Sequence, residues 1–418
     1  MGLNQSSQIK VEGFAAPGYE SVKEMFEKNC ARGAEDSAQV CVYVEDKKVV
    51  DLWWSKSNPK YTGDTLTNVF SSTKSLTSIA LAALQDKGLI SYDEKISTYW
   101  PEFGQNGKED VTVADLMRHE AGLASFDNPP MIEDTLTENI KKNCLGSRIE
   151  KEKCQYPKDG KRDYHAITRG WIANEIFRRM DPARRTIGEY IMEDVARPLN
   201  ADVFVGVKSD RFDDYAPTFE IPISTAIKES IKTTFTTSAV DVTFKELIGI
   251  LNMFRKLGEG ISKPAFQPHG NTDLTKLGPL FNLDLIRKGE TSSANGNCSA
   301  RGLALVAAAM ANKGTFNGVK LLSNQAWEAL HKGAIQAPIY GIMPTNFTQG
   351  GVNEFDEASG RNGYYGWFGY GGSVFQWNPD LRIGFAYTPT YLYWFDGTNN
   401  RGRMLQQEVV KCVKNSKK

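Results

Sequence analysis

The sequence predicts a mixed α/β (α+β) fold, with an antiparallel sheet built from both chain ends, flanked by helices, and a mostly helical lobe inserted between them. Three observations favour it: strand-rich hairpin patterns near each end, helical patterns between them, and a length of 418 residues, above that of a typical domain. We expect a flexible N-terminus at 1–17 and one domain of two lobes at 18–415. The α/β lobe is expected at about 18–70 and 300–415, and the helical lobe at about 71–299.

Two hairpins define the predicted sheet. Near the N-terminus, Gln39–Val44 and Val49–Trp54 are rich in strand-forming residues and flank a charged turn. Near the C-terminus, Ser373–Trp377 and Arg382–Tyr387 flank an Asn-Pro-Asp turn. The sheet is therefore expected to draw its strands from opposite ends of the chain.

Apolar residues at helical spacing predict the elements between and after the hairpins. The predicted helices are Leu76–Lys87, Val113–His119, Ile167–Met180, Thr186–Ala196, Thr243–Lys256, Ser299–Lys313, Gln325–Leu330 and Gly402–Val413. Two stretches rich in Gly, Pro and Asn, Lys263–Asn297 and Ala337–Tyr365, are predicted to be long loops, which in compact domains are often functional.

The first candidate site is the tetrad Ser71-Ser72-Thr73-Lys74, at the start of the helical run from Thr73 to Lys87. Because residues i and i+3 share one face of a helix, Lys74 can reach the hydroxyl of Ser71. Free N–H groups and the positive end of the dipole at a helix N-terminus favour the negative charge that develops in acyl transfer. A serine before a helix is more often only a cap, so the tetrad needs support from other motifs.

With its other motifs, the chain resembles the serine β-lactamase and penicillin-binding-protein superfamily, in particular its class C β-lactamase and family VIII esterase branch. Tyr164-His165-Ala166 is similar to the family's Tyr-x-Asn element, and Trp367-Phe368-Gly369 stands in the place of its Lys-Thr-Gly. Asp115–Leu123 resembles the family's Leu-Leu-x-His-x-Ser-Gly-Leu, in which the histidine, here His119, is structural. The resemblance runs from about Gly18 to Val413 and implies a β-lactamase/transpeptidase-like fold.

The resemblance implies acyl transfer through a covalent serine ester. Ser71 would attack a carbonyl, while Lys74 and Tyr164 share the removal of its proton and the protonation of the leaving group. The backbone N–H groups of Ser71 and Tyr370 would hold the oxyanion. Whether Lys74 or Tyr164 is the base is a coupled question that the sequence leaves open.

Two departures from the family pattern bear on the substrate. Trp367 replaces the lysine of the third motif, and Ala166 replaces the asparagine of the second. The loss of a cation and an amide argues against β-lactams and peptidoglycan stems, whereas tryptophan suits a neutral, apolar group. We therefore predict an esterase acting on small or medium neutral esters, with Trp367, Gly369 and Ala166 contacting the substrate.

Other function classes are weighed against this prediction. A Ser-His-Asp hydrolase is disfavoured because no Gly-x-Ser-x-Gly elbow follows a strand. A metal hydrolase is disfavoured because no two of the four histidines have ligand spacing, and no cofactor is expected. Two alternatives stay open: a catalytically silent scaffold or assembly protein on the same fold, and a peptidase or amidase using the same residues.

Composition limits the expected partners and location. The 50 basic and 50 acidic residues give zero formal net charge, without the Lys/Arg block of a nucleic-acid face. The chain lacks a leader pattern and an apolar run of about 18 residues, so we expect a cytoplasmic protein with reduced cysteines. Gly2 fits the N-myristoylation pattern, which by itself would give only weak membrane association. The oligomeric state is not predicted.

Overall fold

The computed structural model describes residues 9–156, 161–208, 210–221, 264–267, 277–341, 343–393 and 399–416. The predicted helix Thr243–Lys256 and the lipidation candidate Gly2 lie outside these residues. Within them, no helix is both long and apolar enough to cross a membrane. All six cysteines of the sequence lie within the described ranges and carry free thiols.

A large antiparallel sheet forms the centre of the structure. In chain order the strands are β1 (Glu12–Ala15), β2 (Ser37–Val44), β3 (Lys47–Ser55), β4 (Thr67–Asn68), β5 (Val203–Val205), β6 (Phe219–Glu220), β7 (Gly296–Cys298), β8 (Thr315–Phe316), β9 (Val319–Lys320), β10 (Ile335–Ile339), β11 (Met343–Phe347), β12 (Asn353–Glu354), β13 (Tyr365–Phe368), β14 (Val374–Asn378), β15 (Ile383–Pro389) and β16 (Tyr391–Leu392). Nine described strands form the main sheet, in the order β1-β3-β2-β15-β14-β13-β12-β11-β10. Since β2 pairs directly with β15, the prediction of a sheet built from both chain ends is confirmed.

Helices cover both faces of this sheet and form the inserted lobe. In chain order they are α1 (Glu20–Ala31), α2 (Thr73–Asp86), α3 (Ile96–Tyr99), α4 (Val113–Met117), α5 (Thr137–Lys141), α6 (Cys144–Lys151), α7 (Thr168–Met180), α8 (Ile187–Tyr190), α9 (Arg197–Leu199), α10 (Leu277–Phe281), α11 (Asp284–Lys288), α12 (Ala300–Ala311), α13 (Asn324–His331) and α14 (Asn400–Ser416). Short 3₁₀ helices lie at Pro101–Phe103, Ile132–Thr135, Asp210–Asp213 and Tyr370–Gly372, and a π-helical turn at Ile191–Ala196.

The central strands are buried along both faces because both faces are covered. Strand β2 is buried at every residue from Ser37 to Tyr43, which is the pattern expected of a strand between two layers. Helix α12 packs on β2, β14 and β15, while helices α1 and α14 pack together, with α1 also on β3. The mixed α/β fold class predicted from the sequence is confirmed.

Two expectations were wrong in their details. Strand β1 lies inside the N-terminal segment 1–17 that we expected to be flexible, because Glu12–Ala15 pairs with the inner strand β3. The stretch Ala337–Tyr365, expected to be a loop, supplies β11, β12 and part of β10. Pro338 argued against a strand there, but β10 is the edge of the main sheet, where the missing N–H of proline is tolerated.

The second expected loop, Lys263–Asn297, was also wrong in the part that the structure describes. It contains helices α10 and α11 and most of strand β7. Strand β7 pairs with β4 and β5 in a small sheet. The Val69 N–H donates to Gly296 O at 2.8 Å, and the Gly296 N–H donates to Thr73 Oγ1 at 2.8 Å. This small sheet therefore fixes the chain that leads into helix α2.

Candidate active site

The start of helix α2 presents Ser71 and Lys74 to each other. The helix begins at Thr73, so Ser71 lies just before its first turn and is partly exposed. Lys74 Nζ lies 3.2 Å from Ser71 Oγ, as the i, i+3 spacing predicts. Phe70 turns the chain into the helix with a left-handed φ of +44°, a strained conformation for a bulky residue.

Lys74 is buried, and among the residues that the structure describes every polar contact of its amine is uncharged. Its side chain is 1% exposed, and Nζ lies 2.7 Å from Ala166 O and 3.0 Å from Ser293 O. Burial, and then the positive charge of Arg169, hold the pKa of Lys74 well below its ordinary value. A neutral amine can donate its two N–H groups to the two carbonyls, which leaves its lone pair for the proton of Ser71.

Tyr164 completes a chain of hydrogen bonds that ends at Lys74. Its hydroxyl is hydrogen-bonded to Ser71 and lies 2.8 Å from the indole Nε1 of Trp367. An indole N–H can only donate, so the Tyr164 oxygen accepts from Trp367 and its proton is free for Ser71. Burial raises the pKa of Tyr164 to about 12, although its hydrogen bonds with Ser71 and Trp367 oppose the shift, because the phenolate could accept from both groups. Tyr164 is therefore a neutral phenol near pH 7.

His119 packs against the ring of Tyr164. The two rings lie 4.7 Å apart, and His119 Nδ1 accepts the backbone N–H of His165 at 3.0 Å. Burial, and then the charge of Arg169, hold the pKa of His119 well below its ordinary value, so its ring is neutral. These contacts position the segment that carries Tyr164.

Arg169 is a member of this site that sequence reasoning missed. Its side chain is fully buried on helix α7, where Nη2 donates to Ser78 Oγ at 2.7 Å. Its Nε has no hydrogen-bond partner, and it forms no ion pair with any described carboxylate. Burial lowers the pKa of Arg169 to about 10. No local pattern in the sequence distinguishes this arginine from the partly exposed Arg178 and Arg179 of the same helix, because its burial comes from packing of α7 against α2.

The turn after strand β13 approaches the residues before Ser71 very closely. A Cβ on Gly369 would lie 2.3 Å from Val69 O, so only glycine allows this approach. The ring of Tyr370 lies 5.6 Å from that of Phe70. Within the described part of the chain, the N–H groups of Ser71 and Tyr370 donate to no protein acceptor. Both donors are available to a substrate oxygen.

The substrate-binding candidates Trp367 and Ala166 have contacts that the sequence did not reveal. Trp367 is 3% exposed and uses its N–H on Tyr164, so it orients that hydroxyl. The backbone carbonyl of Ala166 accepts from Lys74, a contact that any residue type could make.

Trp367 also borders a cavity of about 450 Å³. Its apolar lining includes Met343, Phe355 and Phe368, and the rings of Trp367 and Phe368 stack with centroids 4.6 Å apart. The charged lining residues are two arginines and two acidic residues, Arg361, Arg403, Glu354 and Asp356. The described residues contain no cluster of three or more His, Cys, Asp or Glu side chains that could hold a metal ion.

Comparison with known proteins agrees with this geometry. The Beta-lactamase family model matches residues 22–408. The chain belongs to the Beta-lactamase family. This membership confirms the resemblance to serine β-lactamases and penicillin-binding proteins, whose members include serine hydrolases of the β-lactamase and esterase type.

Named relatives of this Beta-lactamase family chain include an esterase. The Esterase/beta-lactamase LipL of Mycobacterium tuberculosis is 27% identical over 385 residues, covering 90% of this chain and 82% of LipL. A penicillin-binding protein homologue from Caulobacter crescentus has a TM-score of 0.74 at 24% identity, covering 96% of this chain and all of that one. A family VIII carboxylesterase has a TM-score of 0.74 at 23% identity, and the match covers 97% of this chain and 100% of the carboxylesterase chain. These two structures confirm the β-lactamase/transpeptidase-like fold.

Proposed function

We propose that this protein is a serine hydrolase that forms a covalent acyl-enzyme on Ser71 and hydrolyses neutral, apolar esters of small or medium size. The observation that carries the proposal is the directed chain of hydrogen bonds from Trp367 through Tyr164 and Ser71 to a buried, neutral Lys74. A scaffold has no need of a buried lysine that contacts no carboxylate in the described part of the chain.

Acylation begins when the Lys74 amine takes the proton of Ser71. Ser71 Oγ then bonds to the ester carbon, and the carbonyl electrons move onto the oxygen, which the N–H groups of Ser71 and Tyr370 stabilise. As the tetrahedral intermediate collapses, the bond to the alcohol oxygen breaks. That oxygen takes a proton from Tyr164, which is replenished from protonated Lys74.

Deacylation uses the same groups with water in place of the alcohol. The Lys74 amine removes a proton from the attacking water, whose oxygen bonds to the acyl carbon. As the second tetrahedral intermediate collapses, the bond from that carbon to Ser71 Oγ breaks, Ser71 takes a proton from protonated Lys74, and the acid is released. Ser71, Lys74 and Tyr164 each carry as many protons at the end of the cycle as at its start, so the resting state is restored.

Two features support a neutral, apolar substrate. Trp367 brings no charge to the position where related enzymes carry a cation, and it contributes, with Met343, Phe355 and Phe368, to the apolar part of the cavity on its other side. The charged residues around that cavity balance, which favours no net charge in the ligand. The names of LipL, an esterase/beta-lactamase, and of the family VIII carboxylesterase support an ester as the substrate.

The test is intact-mass analysis after exposure to a fluorophosphonate, together with the burst phase on p-nitrophenyl butyrate. We expect one adduct on the wild type and none on Ser71→Ala. Ser75→Ala is the matched control, because its buried hydroxyl lies on the same helix without a hydrogen-bond partner. It should be labelled like the wild type. Folded wild-type protein that takes no adduct would replace this proposal with the scaffold alternative.

A further inference from the structure

Residues at the start of helix α14 hydrogen-bond to the turn that carries Tyr370. Asn399, immediately before the helix, is 2% exposed, and its Nδ2 donates to Gly369 O at 3.0 Å and to Ser373 O at 2.8 Å. Arg401, on the first turn, donates to Gly371 O at 2.7 Å. The chain between Gly369 and Ser373 is thus held through its carbonyl oxygens.

One of these carbonyls shares a peptide unit with the proposed oxyanion donor. The C=O of Gly369 and the N–H of Tyr370 belong to the same planar trans peptide, so they point in opposite directions. Fixing the direction of the carbonyl therefore fixes the direction of the N–H. The Gly372 N–H gives the Gly369 carbonyl a second, longer bond of 3.3 Å.

We propose that Asn399 is a positioning residue of the oxyanion hole, which holds the carbonyl of Gly369 and thereby aims the N–H of Tyr370 at the substrate oxygen. The proposal rests on the proposed function, since the oxyanion forms only if Ser71 attacks an ester carbonyl. It adds a residue that lies outside the three motifs of the family resemblance.

Asparagine suits this position for two physical reasons. Its amide nitrogen carries two protons, and the two neighbouring acceptors are both carbonyls, so each proton has a partner. Its backbone adopts a left-handed φ of +51°, which asparagine tolerates better than most residues. Aspartate would place oxygen against both carbonyls, and glycine would keep the backbone but lose the amide.

The experiment compares Asn399→Asp and Asn399→Gly with the wild type. Asn200→Asp is the matched control, because Asn200 has the same φ of 51° but is exposed at the end of helix α9. Acylation is measured with p-nitrophenyl butyrate and with its thionoester. Sulfur is larger than oxygen and a weaker hydrogen-bond acceptor, so an intact hole discriminates against the thionoester.

We expect Asn399→Asp to slow acylation by the ester at least about tenfold while KM changes little. The rate ratio of ester to thionoester should fall in both Asn399 variants and stay at the wild-type value in Asn200→Asp. If Asn399→Asp does not fold, Asn399→Gly decides alone.

Two outcomes separate this inference from the proposed function. Wild-type protein without a Ser71 adduct would refute the proposed function, and this inference with it. Active wild type with an unchanged ester-to-thionoester ratio in the Asn399 variants would overturn the role of Asn399 and leave the proposed function standing.

Discussion

Two buried basic side chains of this protein have opposite surroundings. Arg401 is 1% exposed, and its guanidinium lies 2.7 Å from the carboxylate of Glu35, which also accepts the hydroxyl of Tyr387. Lys74 is equally buried at 1%, yet among the described residues its amine contacts one hydroxyl and two carbonyls and no carboxylate.

The difference in partners gives the two basic groups different charge states. A buried cation beside a carboxylate keeps its charge and gains a rigid set of hydrogen bonds. A buried amine without a counter-ion loses its proton instead, because desolvation penalises the charged form. The positive charge of the buried Arg169 adds to this effect. It lowers the pKa of Lys74 further, because two nearby positive charges repel. We infer that Lys74 stays unprotonated, and can act as a base, because no described carboxylate contacts its amine.

Replacing the unpaired amine should have the largest effect on activity. We expect Lys74→Met to slow acylation of p-nitrophenyl butyrate by about a thousandfold, because the proton of Ser71 loses its acceptor. The melting temperature should change little, since methionine fills a similar volume without a charge to desolvate. A variant within tenfold of the wild-type rate would show that Tyr164, not Lys74, is the base.

Replacing the paired cation should instead lower stability. Arg401→Met would leave the Glu35 carboxylate buried without its cation, which should reduce the free energy of unfolding by about 3–5 kcal/mol. Urea denaturation measures the loss. The double variant Glu35→Gln with Arg401→Met serves as the control, because it removes the stranded charge and should recover part of the stability. A loss below about 1 kcal/mol in the single variant would contradict the structural role of the pair.

The pH dependence tests the link between Arg169 and Lys74. Because burial holds the pKa of Lys74 well below its ordinary value, acylation should rise with pH through that lowered pKa and then stay level. The level region follows from Tyr164, which keeps its proton up to a pKa of about 12. Arg169→Gln removes a positive charge, so the pKa of Lys74 rises and the rising limb moves to higher pH.

The matched control for this prediction is Arg178→Gln on the same helix, where the guanidinium of Arg178 is paired with Glu175. Its rising limb should coincide with that of the wild type. The histidines that face the site are neutral near pH 7, since burial lowers the pKa of His119 strongly and that of His165 to about 4. If the rising limb of the pH–rate profile of Arg169→Gln lies at the same pH as that of the wild type, burial alone deprotonates Lys74.

The contrast also explains what the sequence could predict. The approach of Lys74 to Ser71 follows from helical spacing, which is local, and both hairpins follow from strand formers around turn residues. Tyr164 could be placed only through the family resemblance, because 93 residues separate it from Ser71. The roles of Arg169 and Asn399 depend on long-range packing that no local pattern records.

Strands were missed where local chemistry opposed the sheet. Pro338 and the glycine-rich stretch after it indicated a loop, but pairing of β10 with β11 at the sheet edge overrides that tendency. Trp367 was expected to line a pocket because indole is largely apolar. Its N–H has a buried partner in Tyr164, a contact that depends on where β13 meets the segment before α7.

The smallest effect is expected at Trp367. Trp367→Phe keeps an aromatic wall for the cavity but deletes the N–H that Tyr164 accepts, which should lower kcat by about tenfold, the equivalent of one hydrogen bond of about 1.4 kcal/mol. KM for p-nitrophenyl butyrate should change little. Trp367→Lys should instead raise KM for apolar esters, because it places a flexible cation beside the aromatic lining. Phe347→Leu is the control, since the ring of Phe347 packs on Trp367 with centroids 4.9 Å apart but donates no hydrogen bond to Tyr164. If Trp367→Phe and Phe347→Leu lower kcat equally, packing alone accounts for Trp367, and the chain of hydrogen bonds begins at Tyr164.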